Sequence, residues 1–181
     1  VVNISGTGAL TITNASSTVN LVTLQSNALG SATISHMTSG SISGTVNVQR
    51  YVTGGAGYRG YRLISSPVNS GVTANGNTIF SMNYLAAAIP STGLNGIPGG
   101  FTKAGNPTFY LFREDKVPNN SSYVTGNFRA IADMSAAPNY TIELDGSGFN
   151  LPVGTGILMF FRGSLATVNP FVTTTTPLAA T

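Results

Sequence analysis

The chain has 181 residues, of which 41% are apolar and only 7% charged, with a mean hydropathy of +0.20. That length suits one sandwich or barrel with a core, or a small domain with extra rungs of strand, and the apolar content excludes disorder driven by low hydrophobicity and high net charge. Eight basic and five acidic residues give a net charge of +3 without any Lys/Arg run, so no stripe suited to nucleic acid is present; with no Cys there is neither a disulfide nor a thiolate metal site.

From Val1 to Gln49 the chain contains no Asp, Glu, Lys or Arg. Its β-prone pieces, VVNIS, ALTIT, VNLVTL, SATIS and SISGTVNVQRYV, are separated by Gly, Asn and Ser and follow one another at about eight to thirteen residues, the spacing of a β-solenoid or a meander. Alternation puts Leu10, Ile12, Leu21, Val22, Leu24, Ile34, Val46 and Val48 inside, with Thr, Ser and Asn toward water. Uncharged strand edges are poorly guarded against pairing, so these are expected to be covered by the rest of the chain or by a partner. His36, the only histidine, has no Cys or carboxylate near it in sequence and reads as a surface residue rather than a ligand or a triad member.

The composition changes at Arg50, beyond which every other charged residue lies. The expected organisation is a charge-free, repeat-like β region over 1–50 and an antiparallel β-sandwich or jelly-roll-like module over 51–181, all-β throughout. Gly54 to Arg62, GGAGYRGYR, lacks the GK[ST] ending of a phosphate loop. Its Tyr58-Arg59-Gly60-Tyr61-Arg62 core admits two readings. One is a glycan platform of stacked rings and guanidinium groups. The other, which alternation alone accounts for, is a strand entrance where Tyr61 and Leu63 pack inward.

Strands are expected at YRLISSPV (61–68), TFYLFRE (108–114), NFRAIAD (127–133), NYTIELDG (139–146) and GILMFFRG (156–163). TFYLF and ILMFF are apolar on both faces and belong in the middle of a two-layer structure or under a covering loop. SMNYLAAAI (81–89) has helical potential for one or two turns before Pro90 ends it. The Gly- and Pro-rich stretch 90–107 is a long loop of the kind that binds or covers. Tyr84 and Phe101, in or beside these loops, join Tyr58, Arg59 and Tyr61 as candidate glycan contacts, and Tyr123 has a similar setting.

Glu114-Asp115-Lys116 before Val117-Pro118-Asn119-Asn120 reads as a solvated hairpin tip. Glu143 and Asp145 share one strand face and, with the Asp145-Gly146-Ser147-Gly148 turn, make calcium a candidate ligand; no other cofactor is indicated. The longest apolar run, Ile157 to Phe161, suits a buried strand and is far short of a membrane helix. Val1 at the start, with neither Met nor a basic leader, and the Thr-rich Phe171 to Thr181 at the end are expected of a fragment of a longer secreted chain.

Four phrases, GSISGTVNVQRYV, YRGYRLISSPV, GFTKAGNPTFYLFRED and FNLPVGTGILMFFRGS, resemble a module recurring in very large secreted, adhesin-like surface proteins of the Bacteroidetes. Those proteins leave the cell by type IX secretion through a separate C-terminal sorting domain. The resemblance runs from Gly40 onward. It includes the G-x-V-x-V-x-R-Y phrase at Gly44 to Tyr51, the S-S-P-V phrase ending Arg62 to Val68, and the glycine-spaced phrase at Leu151 to Gly163. Where the family has a Trp-containing segment, this chain has SGVTANGNTIFSMNY. The resemblance implies a secreted or cell-surface setting, and a sandwich-like module beside repeat-like strands.

Together these residues lead to the expectation of a non-enzymatic structural or adhesive module. Its expected partners are other segments of the same long chain and a surface glycan or protein ligand, with no nucleic acid and no membrane span. A carbohydrate-binding module of a secreted enzyme and a self-assembling filament or surface-layer subunit are the alternatives.

Overall fold

The computed structural model describes residues 2–4, 9–10, 17–36, 42–54, 59–68, 73–74, 77–134, 141–143 and 148–165. The regular structure of the described chain is predominantly β-strand, and the chain separates into two compact units whose boundary lies between Thr53 and Gly54. The expectations attached to Ile12, Tyr58, Asp145 and the terminal Thr run lie outside the described residues, as do those on the side chains of Leu10, Leu21 and Glu143.

In the first unit, strands Val2–Ile4, Ser17–Leu24 and Ile42–Val48 form a parallel sheet, with Val2 opposite Val22 and Val22 opposite Val46. Ala9–Leu10 and Thr33–Ile34 are a second parallel pair. The repeat is about 20 to 25 residues, with more than one strand in each turn of chain. The core follows the alternation: Val22, Leu24 and Ala32 are buried, with Ile34, Val46 and Val48 packed against them. The hairpin of Ser26–Asn27 and Gly30–Ser31 carries Leu29 at its exposed tip, where the Leu29 amide donates to Asn27 Oδ1 at 2.8 Å. In a unit without charged side chains before Arg50, hydroxyl and amide groups fix the register. The Ser26 and Ser31 hydroxyls meet at 2.7 Å, the Tyr51 amide donates to Ser26 Oγ at 2.9 Å, and the Ser26 amide donates to Gln49 Oε1 at 3.3 Å.

The second unit is built on an eight-stranded sheet in which every pairing is antiparallel. Its main path runs Asn119–Ser121, Val124–Gly126, Phe128–Asp133, Phe109–Phe112, Ile157–Phe161 and Gly60–Ile64, while Thr141–Glu143 also pairs with Phe128–Asp133. One face of the path is the core. Ile157, Met159, Phe161, Phe109, Leu111 and Ile131 are all buried, as alternation on adjacent antiparallel strands requires.

Beyond the large sheet, buried apolar groups of this unit come from Ile79, Phe80, Met82, Ile89, Phe101, Met134 and Leu151. They lie on a small sheet of Thr73–Ala74, Asn77–Phe80 and Leu151–Pro152, on the turn that follows it, and on loops. That turn is a 3₁₀ helix, Met82–Ala87, capped by Ser81, whose Oγ accepts from the Asn83 amide at 3.2 Å. It is the single short helical segment expected before Pro90. The tight i→i+3 winding suits so short a run, which cannot recover the cost of nucleating an α-helix.

The stretch 90–107 is more ordered than a loop in the usual sense. Thr92–Gly93 pairs in parallel with Lys103–Ala104, a short 3₁₀ turn spans Ile97–Gly99, and the Met134 amide donates to the Gly99 carbonyl at 2.9 Å. The hairpin expected to turn at 114–120 turns instead at Ser122 and Tyr123, between Asn119–Ser121 and Val124–Gly126. Residues 113–118 form a separate loop, tied by Asn127 Nδ2 to the Arg113 and Lys116 carbonyls at 2.9 and 2.8 Å and by Arg129 Nη2 to the Val117 carbonyl at 2.7 Å. These side-chain ties are non-local, which is why the Pro/Asn composition of the loop misplaces the turn.

Candidate functional site

The second face of the large sheet is where the structure departs most from expectation. Strands FYLF and ILMFF are apolar on both sides, and the outer side is open only in part, since Ala130, opposite Tyr110 on that face, is buried. Tyr61, Leu63 and Phe112 are 54%, 76% and 55% exposed. Tyr110, Phe128, Leu158 and Phe160 are half-buried on the same face. Leaving Tyr61, Leu63 and Phe112 in water forgoes on the order of 1 kcal/mol each relative to burial.

Cross-strand register builds the aromatic strip. Tyr61 stands opposite Phe160 and Phe112 opposite Phe128. The Tyr61 and Phe160 rings meet edge to face at 5.1 Å between centroids, Tyr61 and Tyr110 at 6.2 Å, and Phe112 and Phe128 at 5.3 Å. Edge-to-face contacts lock ring orientations by setting the edge of one ring against the face of the other. The inward packing expected of Tyr61 and Leu63 is therefore reversed. The strand enters the sheet in the opposite phase, with Arg62 and Ile64 on the less exposed side and Ile64 in register with buried Ile157.

A guanidinium group closes one end of the strip. The Arg162 Cζ lies 4.8 Å from the centroid of the Phe160 ring. Its Nη1 donates to Thr108 Oγ1 at 2.7 Å and to the Phe160 carbonyl at 3.4 Å, and its Nη2 donates to the Asn106 carbonyl at 3.4 Å. All three acceptors are neutral. Burial, followed by the nearby positive charge of Arg59, lowers the proton affinity of Arg162. Tyr110 is pushed up to about 12, first by burial and then by the Tyr61 hydroxyl beside it.

The loops supply the support beneath Arg162. Thr92 Oγ1 also donates to the Asn106 carbonyl, and the Thr92 amide donates to Thr108 Oγ1 at 2.8 Å. Tyr123 Oη donates to Asn106 Oδ1 at 3.2 Å from a residue held at φ 64°, the only positive φ among the described non-glycine residues. A bulky side chain in the left-handed region is strained, and such strain concentrates at positions where a side chain must be aimed.

The structure brings some of the sequence-derived candidates together and disperses others. Tyr61 belongs to the strip, and the charge of Arg59 acts on Arg162 beside it. Tyr84 is 45% exposed but stands apart on the Met82–Ala87 turn, in none of the ring contacts among the described residues. Phe101 is a correction: it is 2% exposed, with its ring filling the space where Gly93 has no side chain, and it belongs to the core. Its flanking Gly and Pro residues resemble a surface loop in composition, but the Thr92–Gly93 ladder and paired threonines fold that loop inward.

Tyr110, Phe112, Phe160 and Arg162 were not picked out from sequence. The signal was the second set of alternating positions in FYLF and ILMFFR, where the aromatic rings fall. Among the described residues no group of three or more His, Cys, Asp or Glu side chains is placed to hold a metal ion, and His36 is exposed. No protein family, curated protein or solved structure matches the chain.

Proposed function

We propose that this chain is a non-enzymatic adhesive module of a secreted bacterial surface protein, and that it adheres by stacking sugar rings on the aromatic face of its large sheet. The observation that carries this reading is the strip of Tyr61, Phe160, Tyr110, Phe112 and Phe128, with Tyr61, 54% exposed, on the strand at the end of the sheet path. Sugar rings present apolar C–H faces that pack on aromatic rings while their hydroxyls stay in water or meet polar groups such as Asn106, Tyr123 and Arg162.

The resemblance of the Gly44 to Tyr51 and Leu151 to Gly163 phrases supports the cell-surface setting and export by type IX secretion. The finer architecture is part of the same reading. Parallel ladders support a short β-solenoid before Gly54, a stack of the kind that other segments of the same long chain would extend. The buried groups contributed from outside the large sheet support a sandwich-like second module. A carbohydrate-binding module attached to a secreted enzyme would use the same face, and a catalytic domain elsewhere in the full-length chain would favour it.

The test is titration of the chain against a panel of soluble bacterial, plant and animal polysaccharides. Wild type is expected to bind at least one of them. Tyr61→Ala, at an exposed position that leaves the circular dichroism unchanged, weakens binding about ten- to thirtyfold, or roughly 1.4–2 kcal/mol. A folded protein that binds none of the panel overturns the proposal. So does concentration-dependent self-association abolished by Tyr61→Ala, which would assign the face to a second copy.

A further inference from the structure

We propose that Tyr61 and Tyr110 form an oxidative coupling site: a peroxidase supplied with hydrogen peroxide joins their rings, ortho carbon to ortho carbon, into a dityrosine that staples Gly60–Ile64 to Phe109–Phe112. This modification stands apart from the glycan reading and needs no ligand on the face.

An oxidant meets few other targets in this chain. There is no Cys and no Trp, and of the four Met, Met82, Met134 and Met159 are 0%, 0% and 2% exposed. The thiol and thioether groups that usually intercept oxidants are thus absent or shielded at these positions. Tyr61 and Tyr84 present exposed phenols instead. Of the two, only Tyr61 has a second tyrosine ring against it among the described residues.

Strand register brings that pair together. Tyr61 lies opposite Phe160 and Tyr110 opposite Leu158, so the tyrosines stand diagonally across Ile157–Phe161 on one face of the sheet. Strands two places apart are separated by roughly 10 Å of backbone. The ring centroids are nevertheless 6.2 Å apart, at an interplanar angle of 69°, because the two side chains lean toward each other. The Tyr61 hydroxyl lies beside that of Tyr110. In a dityrosine the new bond joins carbons next to the hydroxyls, which leaves the two oxygens side by side. The folded sheet holds that arrangement before any bond forms. A swing of Tyr61, on the strand that ends the sheet path, closes the remaining distance.

The oxidant first removes one electron and one proton from the exposed Tyr61 phenol. The phenoxyl radical takes a hydrogen atom from the hydroxyl of half-buried Tyr110, and a second oxidation of Tyr61 leaves two radicals side by side. Their ortho carbons form one C–C bond, and the hydrogens displaced from those carbons pass through solvent to the phenolic oxygens. In all, the pair gives up two electrons and two protons, which convert one hydrogen peroxide to two waters. The product ties an edge strand into the sheet and closes a chain loop in the unfolded state, as a disulfide does in proteins that contain cysteine.

The test treats the whole chain at high dilution with a plant haem peroxidase and hydrogen peroxide. The expected product is a monomer lighter by two hydrogen atoms, with the blue fluorescence of dityrosine and a raised denaturation midpoint. In its tryptic digest Gly60–Arg62 is joined to Ala104–Arg113. Tyr61→Phe and Tyr110→Phe each keep the ring and remove the phenol, and each is expected to abolish the linkage, while Tyr84→Phe retains it. A cross-link that maps to Tyr84 or Tyr123, or that survives in Tyr61→Phe or Tyr110→Phe, overturns the inference. So does a protein that ends the treatment unlinked, or one that couples only into covalent dimers.

Discussion

Tyr110 shows how much a single position on this face depends on its neighbours. Its ring lies 6.2 Å from that of Tyr61, and burial and the Tyr61 hydroxyl move its ionisation from 10.0 to about 12. The folded state therefore holds the phenol proton more tightly than the unfolded state does. The associated stability is complete below pH 10 and is lost as pH rises through about 12. Spectrophotometric titration is expected to resolve one late-ionising tyrosine that disappears in Tyr110→Phe, and the fall in stability of the wild type above pH 10 should be shallower in that variant. A tyrosine population titrating uniformly near 10 would contradict this. Sequence alone places Tyr110 on a strand, but its partners come from Gly60–Ile64 and Ile157–Phe161, far away along the chain. Tyr61 makes the same point in reverse. Alternation fixes that Tyr61 and Leu63 share a face, and only the pairing of Ile64 with Ile157 decides that this face is the outer one.

Among the elements, the stretch 90–107 illustrates how glycine permits a fold that composition does not announce. A Cβ on Gly93 would fall 2.2 Å from the Phe101 ring, and that ring is buried and unable to move aside. Gly93→Ala is expected to destabilise the protein by about 1–3 kcal/mol through overpacking, measured as a lowered denaturation midpoint. Phe101→Leu added to Gly93→Ala should recover part of the loss if the clash is the cause, and strict additivity would show that it is not. The loop also carries the floor of the Arg162 site, because Thr92 and Asn106 lie at its two ends and both bond toward Thr108 or Arg162. Strands and the short helical turn were legible from local pattern: Phe109–Phe112, Phe128–Asp133, Thr141–Glu143 and Ile157–Phe161 all fall inside the expected segments. The Ser122–Tyr123 turn was not, since it needs a tyrosine at φ 64°, which no turn propensity anticipates.

For the whole molecule, the scarcity of charge shapes its response to conditions. Thirteen charged side chains serve 181 residues, and the Arg113–Asp115 pair, at 2.6 Å, has its Asp115 side chain 61% exposed. An exposed pair of this kind contributes little to stability. Cohesion comes from aromatic and aliphatic burial, such as Phe80, Phe109 and Phe161 in the second unit and Val22 and Leu24 in the first. The melting temperature is expected to change by less than about 2 °C between roughly 0.05 and 0.5 M sodium chloride. Scanning calorimetry would check this, and a larger shift would mean that electrostatics carries weight these strands do not display.

Composition and local periodicity by themselves determined the all-β character, the strands Phe109–Phe112, Phe128–Asp133, Thr141–Glu143 and Ile157–Phe161, the brief helical turn before Pro90 and the inward set of Val22, Leu24, Ile34, Val46 and Val48. Those features depend on residues near one another in the chain, where a two-residue alternation or a proline acts directly. Tertiary structure alone decided which face of each doubly apolar strand is buried, that Phe101 turns inward, and that Arg162 meets Phe160, Thr108 and Asn106. The physical reason is register. A shift of one residue in strand pairing exchanges core for surface, and the pairings that set it here join Gly60–Ile64 to Ile157–Phe161 across most of the second unit's sequence.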